Sequence, residues 1–291
     1  MKNEENFMNP FLGTNNVMMA PRGGQKYRNG ETSSHMNFEL DSPNHKRCKD
    51  MLAKSLSIFH DYAEHNNFLY TLEGGSLIGH YWNNEMIFWD DDIDVHVEDC
   101  VLDQLTSIWE GGEFFTNEYL KNYCGVGKKS KYGCTLRKIY LLDKPCLICF
   151  GGGRETDDGW HPIDDKEHGV NRILFKLIAL DDNEQLITFD RRKHQVHRWT
   201  GLDIIITQQH KDKKQIFDSW FTKKEVPWFQ LSENKLDFPI VNFNGVETRA
   251  VIKERGEPWL DEMYGEFWRS RKHESLKEQE DNCADFRFRK K

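Results

Sequence analysis

No apolar run in this 291-residue chain approaches the roughly 20 residues needed to cross a bilayer, so no integral membrane segment is expected. The opening MKNEENFMNPFLGTNN lacks the apolar core of a secretory leader, and a soluble, cytoplasmic protein is the expectation. A basic surplus is missing too. The 40 Lys and Arg stand against 48 Asp and Glu, a net charge of −8, which argues against nucleic acid as a partner because coating phosphates needs clustered cations. A small anionic substrate held through a metal ion remains compatible with this balance. The seven cysteines are odd in number and scattered through a chain too large to need stapling, so mostly free thiols are expected. Only Cys146-Leu-Ile-Cys149 has zinc or redox spacing. Cys124, Cys134, His161 and His168 could complete a zinc site, but the gaps follow no zinc-ribbon pattern and LICF reads equally well as a buried strand. There is no internal repeat. Gly151-Gly152-Gly153 lacks the Lys-Ser/Thr of a phosphate loop and is assigned no phosphate role.

What is present is organised. Residues 1–40 are polar and aperiodic, which predicts a flexible arm. Ser42-Pro43 supplies an N-cap and a first-turn proline, and Cys48, Leu52, Leu56, Phe59 and Ala63 recur at helical spacing up to Asn66-Asn67. A short strand over 68–72 breaks at Gly74-Gly75, and Ser76-Leu77-Ile78-Gly79 begins a helix. Glycines at a helix start expose N–H groups that suit an anion, although a plain tight turn fits GGS equally well. Further strands are expected at 92–97, 136–142, 146–150 and 203–207, with a helix over 101–109. A hairpin is expected from 173–179 and 185–189 across Asp181-Asp182-Asn183, and a second around Asn244-Gly245. The polar, Gly-rich stretch GGGRETDDGWHPIDDKEHG reads as a loop, and helices are expected over 211–221 and 257–264.

The most unusual stretch is WDDDIDVHV, residues 89–97. Four carboxylates within five positions repel one another, and burying even one without a partner is costly, so the cluster asks for a cation or for solvent. Strand alternation would put Asp90, Asp92, Asp94 and His96 on one face and Ile93, Val95 and Val97 on the other. A calcium loop is excluded, because counting from Asp90 places Val95 where glycine and Val101 where glutamate are required. A glycosidase pair is weak, since adjacent acids on one face cannot flank a sugar. A magnesium or manganese ion fits better, using one or two carboxylates together with substrate phosphates. Asp203, heading an Ile-rich strand, is the candidate third ligand; a turn acid beside Gly201 is its plainer reading.

The segment LEGGSLIGHYWNNEMIFWDDDIDVHVED resembles the signature of the LicD and fukutin-related protein family, a GGSLLG-like turn before a WDxDxD-like strand. Gly201-Leu202-Asp203-Ile204-Ile205 and FNGVETRAV…WLDEMYGEFW resemble later parts of that family, so the likeness covers roughly residues 45–268. It implies an α/β (α+β) fold, a nucleotidyltransferase-like mixed sheet flanked by helices, with one catalytic domain over 41–268 and a charged tail over 269–291. It also implies transfer of a phospho-alcohol or phospho-sugar unit from a nucleotide-diphosphate donor, CDP-linked by preference, to a glycan hydroxyl. Under that reading Asp92, Asp94 and Asp203 hold Mg²⁺ or Mn²⁺, with Asp90 as outer support and Asp91 pointing away. Gly74, Gly75 and Ser76 approach the donor phosphates, and Arg137, the chosen member of the Arg137-Lys138 pair, makes a phosphate contact. His96, Trp82 and Trp89 are weaker ligand candidates than core residues. The alternatives are transfer of a nucleoside monophosphate onto a hydroxyl or protein, and a non-catalytic binder of nucleotide or glycan.

Overall fold

Ser42 begins the first helix as expected: its Oγ accepts the His45 N–H at 3.2 Å, and Pro43 opens α1 (Pro43–His65). Cys48, Leu52, Leu56, Phe59 and Ala63 are all buried, forming the apolar stripe of that helix. The computed structural model describes residues 42–87, 90–115, 136–151, 153–156, 159–165, 170–172, 174–189, 199–209, 216–218, 235–264 and 268–269. The expected arm over 1–40 and all but Arg269 of the expected tail lie outside these residues.

The elements that follow are β1 (Tyr70–Glu73), α2 (Gly74–Asn83), β2 (Ile93–Glu98), α3 (Leu102–Gly111) and β3 (Glu113–Phe114). Next come β4 (Leu136–Leu141), β5 (Lys144–Gly151), β6 (Gly153–Thr156), β7 (Gly159–Asp165), β8 (Val170–Arg172) and β9 (Leu174–Ala179). The chain continues with β10 (Leu202–Gln209), β11 (Ile216–Asp218), β12 (Ile240–Phe243), β13 (Val246–Arg249) and α4 (Lys253–Tyr264). An eight-stranded mixed sheet runs β1-β2-β10-β9-β5-β4-β3, with β11 also paired to β10. Within it β2 and β10 pair in parallel and the remaining pairs are antiparallel. The fold is therefore α/β with a mixed sheet and flanking helices, as expected.

Cross-strand partners share a face, so the sheet has two distinct sides. Leu72, Val95, Ile204 and Phe175 lie in register across one side, which buries against α1 in the main core. Ser55 of α1 ties helix to sheet, its Oγ accepting the Ala179 N–H at 2.9 Å. On the other side a smaller cluster of Leu136, Leu147, Cys149, Ile178, Leu180 and Trp199 covers the β4, β5 and β9 end.

Three expectations fail. The stretch 151–169 is not a loop throughout: β6, β7 and β8 form a three-stranded sheet, because backbone groups pair in a ladder whatever the polarity of their side chains. The 181–184 turn exists, with Asp181 Oδ1 accepting the N–H groups of Asn183 and Gln185, but 185–189 do not form a strand. Asp181 satisfies the turn by itself, and β5 and β10 occupy the two sides of β9. Residues 216–218, expected in a helix, are strand β11 against β10. The Asn244-Gly245 hairpin is as read, both residues taking positive φ, 54° and 80°.

Gly79 governs how α2 leads into the acidic segment. A Cβ there would sit 2.3 Å from the Glu85 carbonyl oxygen and 3.2 Å from the Ile87 nitrogen, both backbone atoms that cannot swing aside. Gly79→Ala is therefore expected to lower unfolding free energy by about 1–3 kcal/mol, the range for overpacking, as read by chemical denaturation.

Candidate functional site

β1 runs straight into α2 through Gly74, whose φ of +51° suits a residue without a Cβ. The Ser76 hydroxyl in the first helical turn accepts the Asp94 N–H at 3.0 Å, so the start of α2 is strapped to the acidic strand. Gly74, Gly75 and Ser76 are buried beside that strand.

In the register Glu73 lies opposite Asp94, Asp94 opposite Asp203, and Asp203 opposite Lys176. The four side chains thus form one row across β1, β2, β10 and β9, on the side of the sheet away from α1. All four residues are buried, with exposures of 0, 5, 7 and 8 %. Asp203 Oδ1 stands 2.6 Å from Lys176 Nζ. Glu73 Oε1 accepts the Trp259 Nε1–H at 2.7 Å, and Oε2 faces His96 Nδ1 at 3.2 Å. His96 is thereby packed against Glu73, in keeping with its reading as a core residue.

Strand geometry begins only at Ile93, so the alternation expected from Asp90 does not apply to the first three acids. Asp90, Asp91 and Asp92 sit in the lead-in, with one carboxylate oxygen from each lying within 4.8 Å of the others. Asp91, expected to point away, is buried within this group, and its carbonyl accepts the Thr200 hydroxyl. The half-buried Lys49 of α1 reaches beneath the lead-in and donates from Nζ to the carbonyls of Ile87 and Asp90.

The electrostatics follow from this crowding. Burial, and then the charges of Asp92, Asp203 and Asp90, push the Asp94 carboxyl well above the usual range, against the pull of Lys176. Burial and Asp92 raise Asp90 likewise, opposed by Lys49. Burial lowers the Lys49 ammonium, although Asp90, Asp91 and Asp92 counter the effect. A cluster that resists ionisation in isolation fits a divalent cation, whose charge would compensate it. Asp94 Oδ1, buried with no hydrogen-bond partner, is an oxygen such an ion would use, and the donor set is the hard-oxygen type that Mg²⁺ or Mn²⁺ prefers.

Arg137 is corrected. It lies in register with Ile148, Ile148 with Leu177 and Leu177 with Leu202, which places it on the side facing α1 and α3. Its Nη1 donates to the Gly112 carbonyl at 3.0 Å and its guanidinium stacks 5.0 Å from the Trp109 ring, so it does not reach the acid row. Lys138 takes the other side but is paired with Glu184. The cations actually near the acids, Lys176 and Lys49, were missed, as was Glu73. A lone lysine inside the apolar FKLIAL and a glutamate directly before Gly74-Gly75 were the available signals.

The zinc candidate does not assemble among the described residues. Cys146 joins the α1-side core and Cys149 the opposite cluster, so the two thiols cannot share an ion, and burial pushes the Cys146 thiol up to about 12. Cys124, Cys134, His168 and Trp89 lie outside the described residues, as does the His161 side chain. Trp82 is a packing residue, donating from Nε1 to the Trp268 carbonyl at 2.9 Å.

Lys49→Met would strip a donor from two buried carbonyls and a counter-charge from the acidic lead-in. The expected loss is about 2 kcal/mol of unfolding free energy, measured by denaturant titration without added metal.

No helix among the described residues is long and apolar enough to cross a membrane. No curated protein matches the chain. Residues 67–129, which carry β1, the glycine turn, α2, the acidic lead-in, β2 and α3, match the LicD/FKTN/FKRP nucleotidyltransferase domain, the family that the signature pointed to.

Proposed function

We propose that the chain is a phosphotransferase that moves a phospho-alcohol or phospho-sugar unit from a nucleotide-diphosphate donor, CDP-linked by preference, to a glycan hydroxyl. The carrying observation is the register that sets Asp94 and Asp203 side by side on parallel strands, with Asp92 two residues before Asp94. The match of residues 67–129 to the LicD/FKTN/FKRP domain supports the reaction class.

Asp92, Asp94 and Asp203 would hold Mg²⁺ or Mn²⁺, with Asp90 and Asp91 supporting them. The ion supplies positive charge against the donor diphosphate, the main requirement in phosphoryl-group transfer. The residues of the chain do the positioning. Gly74 and Gly75 bring backbone N–H groups of the first turn of α2 close to the donor, where a helix N-terminus favours phosphate. Ser76 fixes that turn against Asp94 through its hydroxyl. Asp92, the half-exposed acid of the cluster, is the one a donor arriving from solvent would meet first. As the acceptor oxygen bonds to phosphorus, the bond to the departing nucleoside monophosphate breaks. The hydroxyl proton passes to a carboxylate oxygen of the same row.

Asp94→Asn tests this directly. Turnover of a labelled CDP-alcohol is expected to fall at least about a hundredfold. The metal-free variant should unfold at the same temperature as the parent or higher, because one buried like charge has been removed. Unchanged turnover rejects the site. Running labelled nucleoside triphosphates in parallel shows whether a nucleotide is transferred instead.

A further inference from the structure

We infer that Lys176 serves as a built-in second cation, so that the acid row takes one divalent ion where a two-ion site would otherwise form. The inference rests on the metal-binding reading above and adds the number of ions and the residue that fixes it.

Two-ion phosphoryl-transfer sites place their metals about 3.5–4 Å apart and bridge them with a shared carboxylate. In this row Asp203 is the last acid, with Asp94 beside it on one neighbouring strand and, where a further acid could help hold a second ion, Lys176 on the other. Its Oδ1 is met by Lys176 Nζ at 2.6 Å, with both side chains only 10 % exposed, so the ammonium stands where a second ion would approach. At the opposite end of the row Glu73 is fully buried, its Oε1 accepting from the Trp259 indole and its Oε2 3.2 Å from His96 Nδ1. That leaves the half-exposed Asp92 with Asp94 and Asp203 as the donors around a single ion, Asp94 Oδ1 being buried with no hydrogen-bond partner.

The arrangement has a consequence for substrate. An ammonium fixed beside Asp203 adds positive charge to the acid row that a bound diphosphate would face, sharing with one metal the role that two would fill. Lys176 lies on β9, and neither it nor Asp203 falls within residues 67–129.

The test is Mn²⁺ titration of the full chain by calorimetry, with electron paramagnetic resonance counting bound ions. The parent is expected to bind one Mn²⁺ per chain. Lys176→Gln is expected to bind two, or to bind the first at least tenfold more tightly, while its affinity for CDP in the presence of Mn²⁺ weakens roughly tenfold. Lys176→Arg, which keeps the charge, should remain at one ion. Two ions in the parent overturn the inference whether or not Lys176→Gln folds. So does a folded Lys176→Gln with parental stoichiometry and affinity. Absence of Mn²⁺ binding in the parent overturns the metal-dependent transferase reading as well, which distinguishes that failure from a failure of the lysine's role alone.

Discussion

The parallel pairing of β2 and β10 is the constraint from which the rest follows. It sets Asp94 directly beside Asp203, and the antiparallel pairs on either side extend the row to Glu73 and Lys176. Carboxylates held this close in a buried place oppose folding, since burial and mutual repulsion both disfavour their charged forms. Something must offset that cost. The other face of the same strands does so: Leu72, Val95, Ile204 and Phe175 are fully or almost fully buried against the helical layer. A strand that is apolar on one side and acidic on the other is pinned from behind, which makes the acids rigid.

Local devices then hold the acids in place. Ser76 fastens the backbone of Asp94 to α2, Lys49 fastens the lead-in from below, and Thr200 caps the Asp91 carbonyl. The C-terminal elements close the edge. Val251 donates to the Thr71 hydroxyl at 2.8 Å and accepts from the Tyr81 hydroxyl at 2.7 Å, and Trp259 of α4 reaches Glu73. Residues some 180 positions away in sequence therefore complete the surroundings of β1 and α2.

Much of this was legible in the sequence, for identifiable reasons. Helical spacing from Cys48 to Ala63, the turn residues Asn244-Gly245 and the apolar run after Asp203 are local signals, and the elements they predict are present. Asp203 was singled out as a lone carboxylate on an Ile-rich strand, and the register sets it beside Asp94. What was not legible depended on pairing. The choice of Arg137 over Lys138 turned on which side of β4 faces the acids, and only the register through β5, β9 and β10 settles it. Lys176 and Glu73 become neighbours of the acids through that same register. The strand at 216–218 and the sheet of β6, β7 and β8 were hidden because backbone pairing leaves little mark on polar, glycine-rich composition.

The boundary of the family match divides the site in a physically meaningful way. Residues 67–129 contain Glu73, the glycine turn and all four clustered aspartates, a segment dominated by negative charge. Both lysines near the acids and the indole that donates to Glu73 lie outside it: Lys49 on α1, Lys176 on β9, and Trp259 on α4. A short acidic signature is recognisable because its chemistry is local, whereas neutralising it is a property of the whole fold and can draw on any strand or helix that packs alongside. Substitutions in Lys49 or Lys176 would leave the signature untouched while changing the charge that the acids experience.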